Sequence, residues 1–405
     1  MLEENFLSAL FRKYYEKSFV DSVPEIGKRE FGVGEFGKKI SSRHLSFKSS
    51  NEFNSFLAKN APFFVSFSPA YYSFPSARPM EAKGFLGSDL AYEFDADDIP
   101  TDCKAEHDSW KCRCGESGKG RLKNCPVCGN GVEVDEWVCP ECLSETKKQA
   151  LRLVGFFEKD LGVTSGLFFN YSGSKGFHVH VRNEPLFGLS PSARVEIVDY
   201  LTANSLDPKM QGFYYSKESK RFFAPRRRNS LGWALRIHDR LESFFYLEPE
   251  RLAVAGGVSV KTASQVISER KKVLESLDSG LLHPVPQNKT EKFWTGLLSL
   301  AVEEEKLLLD RQTSVDIRKI LRVPDSLHGS TGMAAKRLSL EELKQFSPLD
   351  DAVVFGTETI KLKSVNAPKF YLGKTKWGPF EEQEAELPEF VAAYLVAKGH
   401  AKIRD

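Results

Sequence analysis

Apolar and polar positions alternate with period two from Leu90 to Asp97: Leu90, Tyr92 and Phe94 point one way, while Glu93, Asp95 and Asp97 point the other. This predicts a half-buried strand running into the acidic turn Asp97-Asp98-Ile99-Pro100. Residues 62 to 98 as a whole read as strands and connections, after a helical opening from Phe6 to Phe19. From Thr146 to Leu161, Ala150, Leu151, Val154, Phe156, Phe157 and Leu161 recur near helical spacing. Gly166 to Arg182 reads as a hairpin. Its outgoing strand sets His178 and His180 on one face and Phe177, Val179 and Val181 on the other. Helical stretches follow between 190 and 310, including Ser192 to Leu201 and Glu291 to Leu309. Residues 313 to 323 read as another strand, and the tail ends in a helix from Pro388 to Lys398. The segment 103 to 142, rich in Gly, Lys and Cys and poor in aliphatics, interrupts the pattern like an inserted module.

With 405 residues, 41% hydrophobic and 28% charged, the chain can bury a sizeable core as one large domain with insertions or as two to three modest ones. No apolar run approaches the ~18 residues of a membrane span. Met1-Leu2-Glu3-Glu4-Asn5 lacks the basic-then-apolar layout of a secretory leader. The expectation is a cytoplasmic protein with no membrane partner. A net charge of +2 does not by itself announce nucleic acid. Locally, Lys217, Lys220, Arg221, Arg226, Arg227 and Arg228 crowd around Phe222 and Phe223. Such interleaving suits a phosphate backbone with exposed bases; the alternative is a solvated loop.

Carboxylates gathered on one strand face repel and lose hydration unless a cation sits among them. Mg²⁺ and Mn²⁺ take oxygen ligands of this kind, although a solvated strand end gives the same pattern. The cysteines raise a different metal. All seven, at 103, 112, 114, 125, 128, 139 and 142, fall in one forty-residue window, which suits metal ligation better than a disulfide framework. Cys125-Pro-Val-Cys128 and Cys139-Pro-Glu-Cys142 form two C-x2-C knuckles with ten residues between, the pattern of one tetrahedral structural Zn²⁺. Cys103, His107, Cys112 and Cys114 offer a second zinc site, and the two sets could interleave.

Two further stretches carry candidate chemistry. In the turn Ser172-Gly173-Ser174-Lys175-Gly176, the glycines let backbone N–H groups approach an anion, and Ser172, Ser174, Lys175 and the following His178 add donors. That suits a triphosphate; an ordinary hairpin turn is the plainer alternative. In Thr313 to Gly329, Asp316 on an apolar strand could be a third metal ligand or could pair with Arg318 or Lys319. Arg322 and His328 would follow as phosphate contacts.

Together these segments resemble the catalytic small subunit of the archaeal and eukaryotic DNA primase, in order and over nearly the whole chain. The matching stretches are Arg29-Glu-Phe31, Arg43-His-Leu-Ser-Phe47, Lys83-Gly-Phe-Leu-Gly-Ser-Asp-Leu90 and Phe94-Asp-Ala-Asp97. After these come the knuckles, Ser172 to His180, Arg322-Val-Pro-Asp-Ser-Leu-His328-Gly329, Phe346-Ser-Pro-Leu349 and Leu387-Pro388. The cysteine-rich insertion is similar to the archaeal branch. The resemblance implies an α/β (α+β) fold, with a catalytic core of mixed sheets flanked by helices over 1–102, 146–189 and 311–405. A zinc-binding insertion would span 103–145 and a mainly helical subdomain 190–310.

It also implies a nucleotidyltransferase that makes short RNA or DNA primers on single-stranded DNA during replication. Asp95, Asp97 and Asp316 would hold Mg²⁺ or Mn²⁺; Ser172, Gly173, Ser174, Lys175, Gly176, His178, Arg322 and His328 would bind the nucleoside triphosphate. The implied partner is a large primase subunit. The chain departs from the family where Ser174-Lys175 stands for a common Arg and Ser330 for a common Lys. Lys is a point charge and Arg a fork, so the triphosphate grip would be weaker or shared with Lys336 or Arg337. A repair-type primase-polymerase extending existing 3′ ends, a non-catalytic zinc-ribbon nucleic-acid-binding protein and a metal nuclease are the competing functions.

Overall fold

Strands rich in Phe, Tyr and Val pair into two four-stranded sheets that carry most of the chemistry foreseen above. The computed structural model describes residues 2–286 and 288–404, which divide into two units. One comprises the chain up to Leu151, Ser165–Arg194 and everything from Leu308; the other comprises Arg152–Thr164 and Val195–Leu307. The expected α+β class is the class observed, with every paired strand antiparallel among the described residues.

In the first unit, one sheet runs in the order Leu321–Arg322, Phe64–Phe67, Phe31–Glu35, Lys38–Leu45. Phe31, Phe53 and Phe67 are fully buried beneath it, with the Phe31 and Phe53 rings 4.9 Å apart. The other sheet runs Lys336–Leu338, Leu167–Tyr171, Gly176–Val181, Leu90–Asp95. Here the predicted hairpin and acidic strand lie side by side. Their register sets Asp95 opposite Gly176, Glu93 opposite His178 and Ala91 opposite His180. Directly opposed residues share a face, so His178 and Glu93 meet. A third sheet, Phe380–Pro388 with Thr359–Ala367 and Ala401–Ile403, packs with the final helix Glu389–Ala397.

The second unit is mainly helical. Gly232–Phe244, Pro249–Gly256, Val260–Ser268, Arg270–Ser279 and Thr290–Glu305 surround buried Trp233, Leu241, Phe245 and Trp294. The basic run lies here, on and after the hairpin Tyr214–Ser216 and Arg221–Phe223. Phe222 is in the core, and Arg227 pairs with Asp239 at 2.7 Å and with Glu242. Arg221, Arg226 and Arg228 are exposed.

One element differs in kind from its prediction. Residues 313–323 are not a strand: Arg311–Val315 is a single helical turn, and only Leu321–Arg322 pairs into a sheet. Asp310 causes this, because its side chain accepts from the backbone N–H groups of Gln312 and Thr313 and caps the turn.

The acidic strand is anchored where it begins by a buried ion cluster. Asp89, just before Leu90, accepts from Arg29 at 3.1 Å, Arg182 at 3.2 Å and the Tyr71 hydroxyl at 3.1 Å. Arg29, itself fully buried, also donates to the carbonyls of Ser68 and Pro69 and lies 3.3 Å from the Tyr71 ring centre. Alongside, Glu30 gathers Arg43, His44 and Lys83. Three of the motif segments therefore meet as scaffold. Removing one partner of a buried pair leaves the other charge uncompensated. Arg29→Met is expected to destabilise the chain by about 3–5 kcal/mol, read as a lowered urea midpoint by circular dichroism; an unchanged midpoint would show that Arg29 is not the anchor.

Candidate functional site

Glu93, Asp95, Ser172, Ser174, Lys175, His178, Arg322 and His328 all line one cavity of about 560 Å³. Seven of the expected site residues, all but Glu93 of these eight, thus come together around a strand end. Burial first, then the charge of Glu93, pushes the Asp95 carboxyl up to about 6 against the opposing pull of His178 and Lys175. Glu93 goes the other way. Burial disfavours its charge, but hydrogen bonds from His178 and Thr313 hold it down to about 2. A buried carboxylate raised by its like-charged neighbour is the electrostatic condition that a divalent cation relieves.

The hairpin turn is built tightly against these carboxylates. A Cβ at Gly176 would collide with the Asp95 side chain and the Phe94 carbonyl, so only glycine fits. Gly173 has φ +80°, and a Cβ there would lie 2.9 Å from that of His328. Ser172 also has a part within the turn itself. Its Oγ accepts from the N–H groups of Gly176 at 3.1 Å and Ser174 at 3.4 Å, so it braces the turn from within. Lys175 Nζ reaches Asp97 and, at 2.9 Å, Glu136.

On the facing wall, Arg322 and His328 are buried, and burial lowers both, Arg322 to about 10. Arg322 Nη1 donates to the Val65 carbonyl at 3.3 Å, while its Nε and the Nδ1 of His178 are buried without a hydrogen-bond partner. A guanidinium N–H buried in a cavity wall and left unbonded suits an anionic guest; with His178 Nε2 donating to Glu93, the Nδ1 of the neutral ring is an acceptor. His180, on the same strand face as His178, stacks on Phe67 with centroids 5.6 Å apart and belongs to the core.

Asp316 lies elsewhere. It is exposed and its carboxylate accepts from the N–H of Arg318, whereas Asp97 and Asp310, which like Asp316 lie outside the cavity lining, are half-buried. The carboxylate that reaches the acidic strand is Asp310: its N–H donates to the Glu93 carbonyl at 3.0 Å, and Thr313 Oγ1 donates to both Asp310 and Glu93. Asp310 went unread because its helix cap left no period-two signal. Lys39, Lys319, Tyr394 and Lys398 also line the cavity and were not anticipated; they come from segments distant in sequence.

The eight Cys and His ligands do assemble into two quartets, but the division differs from the pairing of the two knuckles. Cys112, Cys114, Cys125 and Cys128 form one; Cys103, His107, Cys139 and Cys142 form the other. The strands Ser109–Lys111 and Ser117–Lys119 turn Cys112 and Cys114 back onto the first knuckle. The second knuckle instead opens the helix Pro140–Lys159, where it meets the short helix Lys104–His107. A Zn–S bond of ~2.3 Å puts tetrahedral sulfurs about 3.8 Å apart. Here Cys112 and Cys128 are 3.5 Å apart, Cys114 and Cys125 3.7 Å, Cys103 and Cys142 3.4 Å, Cys139 and Cys142 3.8 Å. His107 turns Nε2 to Cys142 at 3.2 Å while Nδ1 meets Asp108 at 2.8 Å, the support a zinc-bound imidazole takes. Both quartets fit zinc.

The family described as DNA primase small subunit matches residues 133–340. Among the relatives, the DNA primase small subunit PriS of Cenarchaeum symbiosum (strain A) is 29% identical over 401 residues, covering 98% of this chain and 97% of the relative. Those of Methanothrix thermoacetophila and Archaeoglobus fulgidus are each 28% identical, covering 98% and 99% of this chain and 98% and 99% of the relative. Among the described residues, no helix is long and apolar enough to cross a membrane.

Two zinc ions per chain are expected by elemental analysis, and Cys128→Ala and Cys139→Ala should each remove one. The double variant decides the division: it should retain neither ion, whereas a site shared by the two knuckles would leave one.

Proposed function

The chain belongs to the DNA primase small-subunit family, and from that premise we propose that it is the catalytic subunit that synthesises primers, RNA or DNA, on a single-stranded DNA template. One observation carries the reading. A single cavity brings the half-buried carboxylates Glu93 and Asp95 together with the buried His328 and Arg322, whose Nε has no hydrogen-bond partner, the layout needed to join metal-bound nucleotide oxygens to a triphosphate. Asp95, Asp97 and Asp310 are the carboxylates proposed to hold two Mg²⁺ or Mn²⁺ ions, Asp310 in place of the expected Asp316. When bound, such a pair activates the attacking 3′-hydroxyl and neutralises the departing pyrophosphate.

The residues of the chain do the rest. His178, hydrogen-bonded to Glu93 at 3.3 Å, is held with its ring against the cavity. Arg322, His328 and Lys175 orient and screen the phosphates, since positioning and fixed charge dominate phosphoryl-type transfer. Burial of Arg322 and His328 keeps their dipoles fixed and water out, which strengthens each contact. A large primase subunit is the proposed partner, in keeping with the name small subunit carried by the relatives.

The test is nucleotide incorporation on unprimed single-stranded DNA with Mg²⁺ or Mn²⁺, with a large subunit added. Asp95→Ala, Asp97→Ala and Asp310→Ala should each lower the rate on the order of a thousandfold or more, the several kcal/mol that bound metal supplies. Asp316→Ala, at an exposed position, should stay within about twofold. Full activity in Asp310→Ala with loss in Asp316→Ala would reverse the assignment of the third carboxylate. Extension of primed templates alone would mark a repair-type polymerase, and silence on both a nucleic-acid-binding module.

A further inference from the structure

Arg121 lies in the cysteine-rich segment, yet its side chain reaches the acidic turn. Its Nε donates to Asp108 Oδ2, one Nη lies 3.0 Å from Asp97 Oδ1, and the other lies 3.5 Å from Glu136 Oε1. Each edge of the guanidinium therefore meets a different carboxylate. Asp108 is buried, and its other oxygen is shared by His107 Nδ1 at 2.8 Å and the N–H of Trp137 at 2.9 Å. Asp97 is held from its second oxygen by Lys175. An unbroken series of contacts thus runs from His107 through Asp108 and Arg121 to Asp97. A planar guanidinium fixed at three edges transmits orientation in a way that a flexible ammonium cannot.

We propose that Arg121 is a positioning residue that couples the Cys103/His107/Cys139/Cys142 site to the Asp97 carboxylate. The ordered zinc quartet fixes His107, which fixes Asp108, which sets the plane of Arg121 and with it the orientation of Asp97 toward a divalent ion. The module thereby contributes to the competence of the cavity, beyond its own folding. The inference rests on the reading of Asp97 as a ligand of that ion.

The test is Mn²⁺ binding to the full chain, read by electron paramagnetic resonance of the free ion, with zinc content measured on the same samples. Arg121→Ala is expected to raise the Mn²⁺ Kd about tenfold or more, as loss of a group supporting a ligand does, while both zinc ions are retained. Arg121→Lys keeps the charge but cannot span the carboxylates, and should recover only part of the affinity. Asp97→Asn separates the two readings. Weakened binding in Asp97→Asn with unchanged binding in Arg121→Ala overturns the coupling and leaves the carboxylate reading standing. Unchanged binding in both overturns the carboxylate reading and the coupling with it. Zinc lost from Arg121→Ala would make the residue part of the zinc scaffold alone and likewise overturns the coupling. Cobalt in place of zinc gives a second readout: its thiolate absorption should shift when Mg²⁺ is added to the wild type and stay unmoved in Arg121→Ala. A wild-type spectrum indifferent to Mg²⁺ counts against the coupling.

Discussion

Same-sign charges crowded on one face of a buried strand are the constraint on which the rest of this structure depends. Glu93 and Asp95 are spaced two residues apart on a strand whose opposite face is core, so neither can turn away from the other. The structure separates their behaviour by giving them different neighbours. Glu93 has His178 and Thr313, and stays charged far into acid; Asp95 has less compensation and a raised carboxyl. Divergence of this kind between adjacent carboxylates is common at functional sites, and on the proposed reading a divalent cation relieves it. The strand holds this arrangement because Asp89, at its start, is locked by Arg29, Arg182 and Tyr71. Unfavourable electrostatics at one end are offset by a satisfied buried cluster at the other.

The cysteine-rich segment solves a separate problem of size. Its hydrophobic core is little more than Trp110, Cys112 and Cys125 with Val132 and Val134 against them, too small to fold a module of this length by apolar burial alone. Zinc held by the two Cys/His quartets would supply the missing free energy. The division into quartets follows from that need. Each joins two stretches separated in sequence, so each closes a loop, whereas two adjacent knuckles on one ion would leave Cys103 to Cys114 held by nothing as strong.

Most of the fold was legible wherever local periodicity and tertiary structure agree. The acidic strand, the hairpin and the final helix follow directly from alternation or helical spacing, and the register of the hairpin against the strand places His178 beside Glu93. The exposed place of Asp316 has a specific cause. An aspartate in an apolar context looks like a buried ligand, but a helix cap at Asp310 shifts the chain by one turn and leaves Asp316 in solvent. The signal was present, since Asp followed by polar residues before an apolar run is a helix start; it was masked by reading 313–323 as one strand. The eight candidate zinc ligands were legible as two sets of four that could interleave, but not which four belong together, because spacing within a knuckle says nothing about which knuckle another residue meets. Lys39, Lys319 and Lys398 carry no local pattern at all.

Those three lysines bear on the departures at Ser174-Lys175 and Ser330. Sharing of the phosphate grip with Lys336 or Arg337 was the expectation, but neither lines the cavity, and Arg337 is exposed. Lys39, Lys319 and Lys398 do line it, from three separate segments. Lys398 is further fixed by the Glu136 carbonyl at 2.9 Å and the Trp137 ring at 4.6 Å. Point charges on separate elements can replace a bidentate fork in total field but not in geometry. On the proposed reading, this chain therefore meets its triphosphate with a diffuse positive wall, and directional contact falls to the buried Arg322 and to His328. Lys175 and Lys319 also meet carboxylates, Asp97 and Glu136 for the one, Asp310 at 3.6 Å and Glu93 at 3.8 Å for the other, so both lysines border the carboxylate edge as well as the proposed phosphate site.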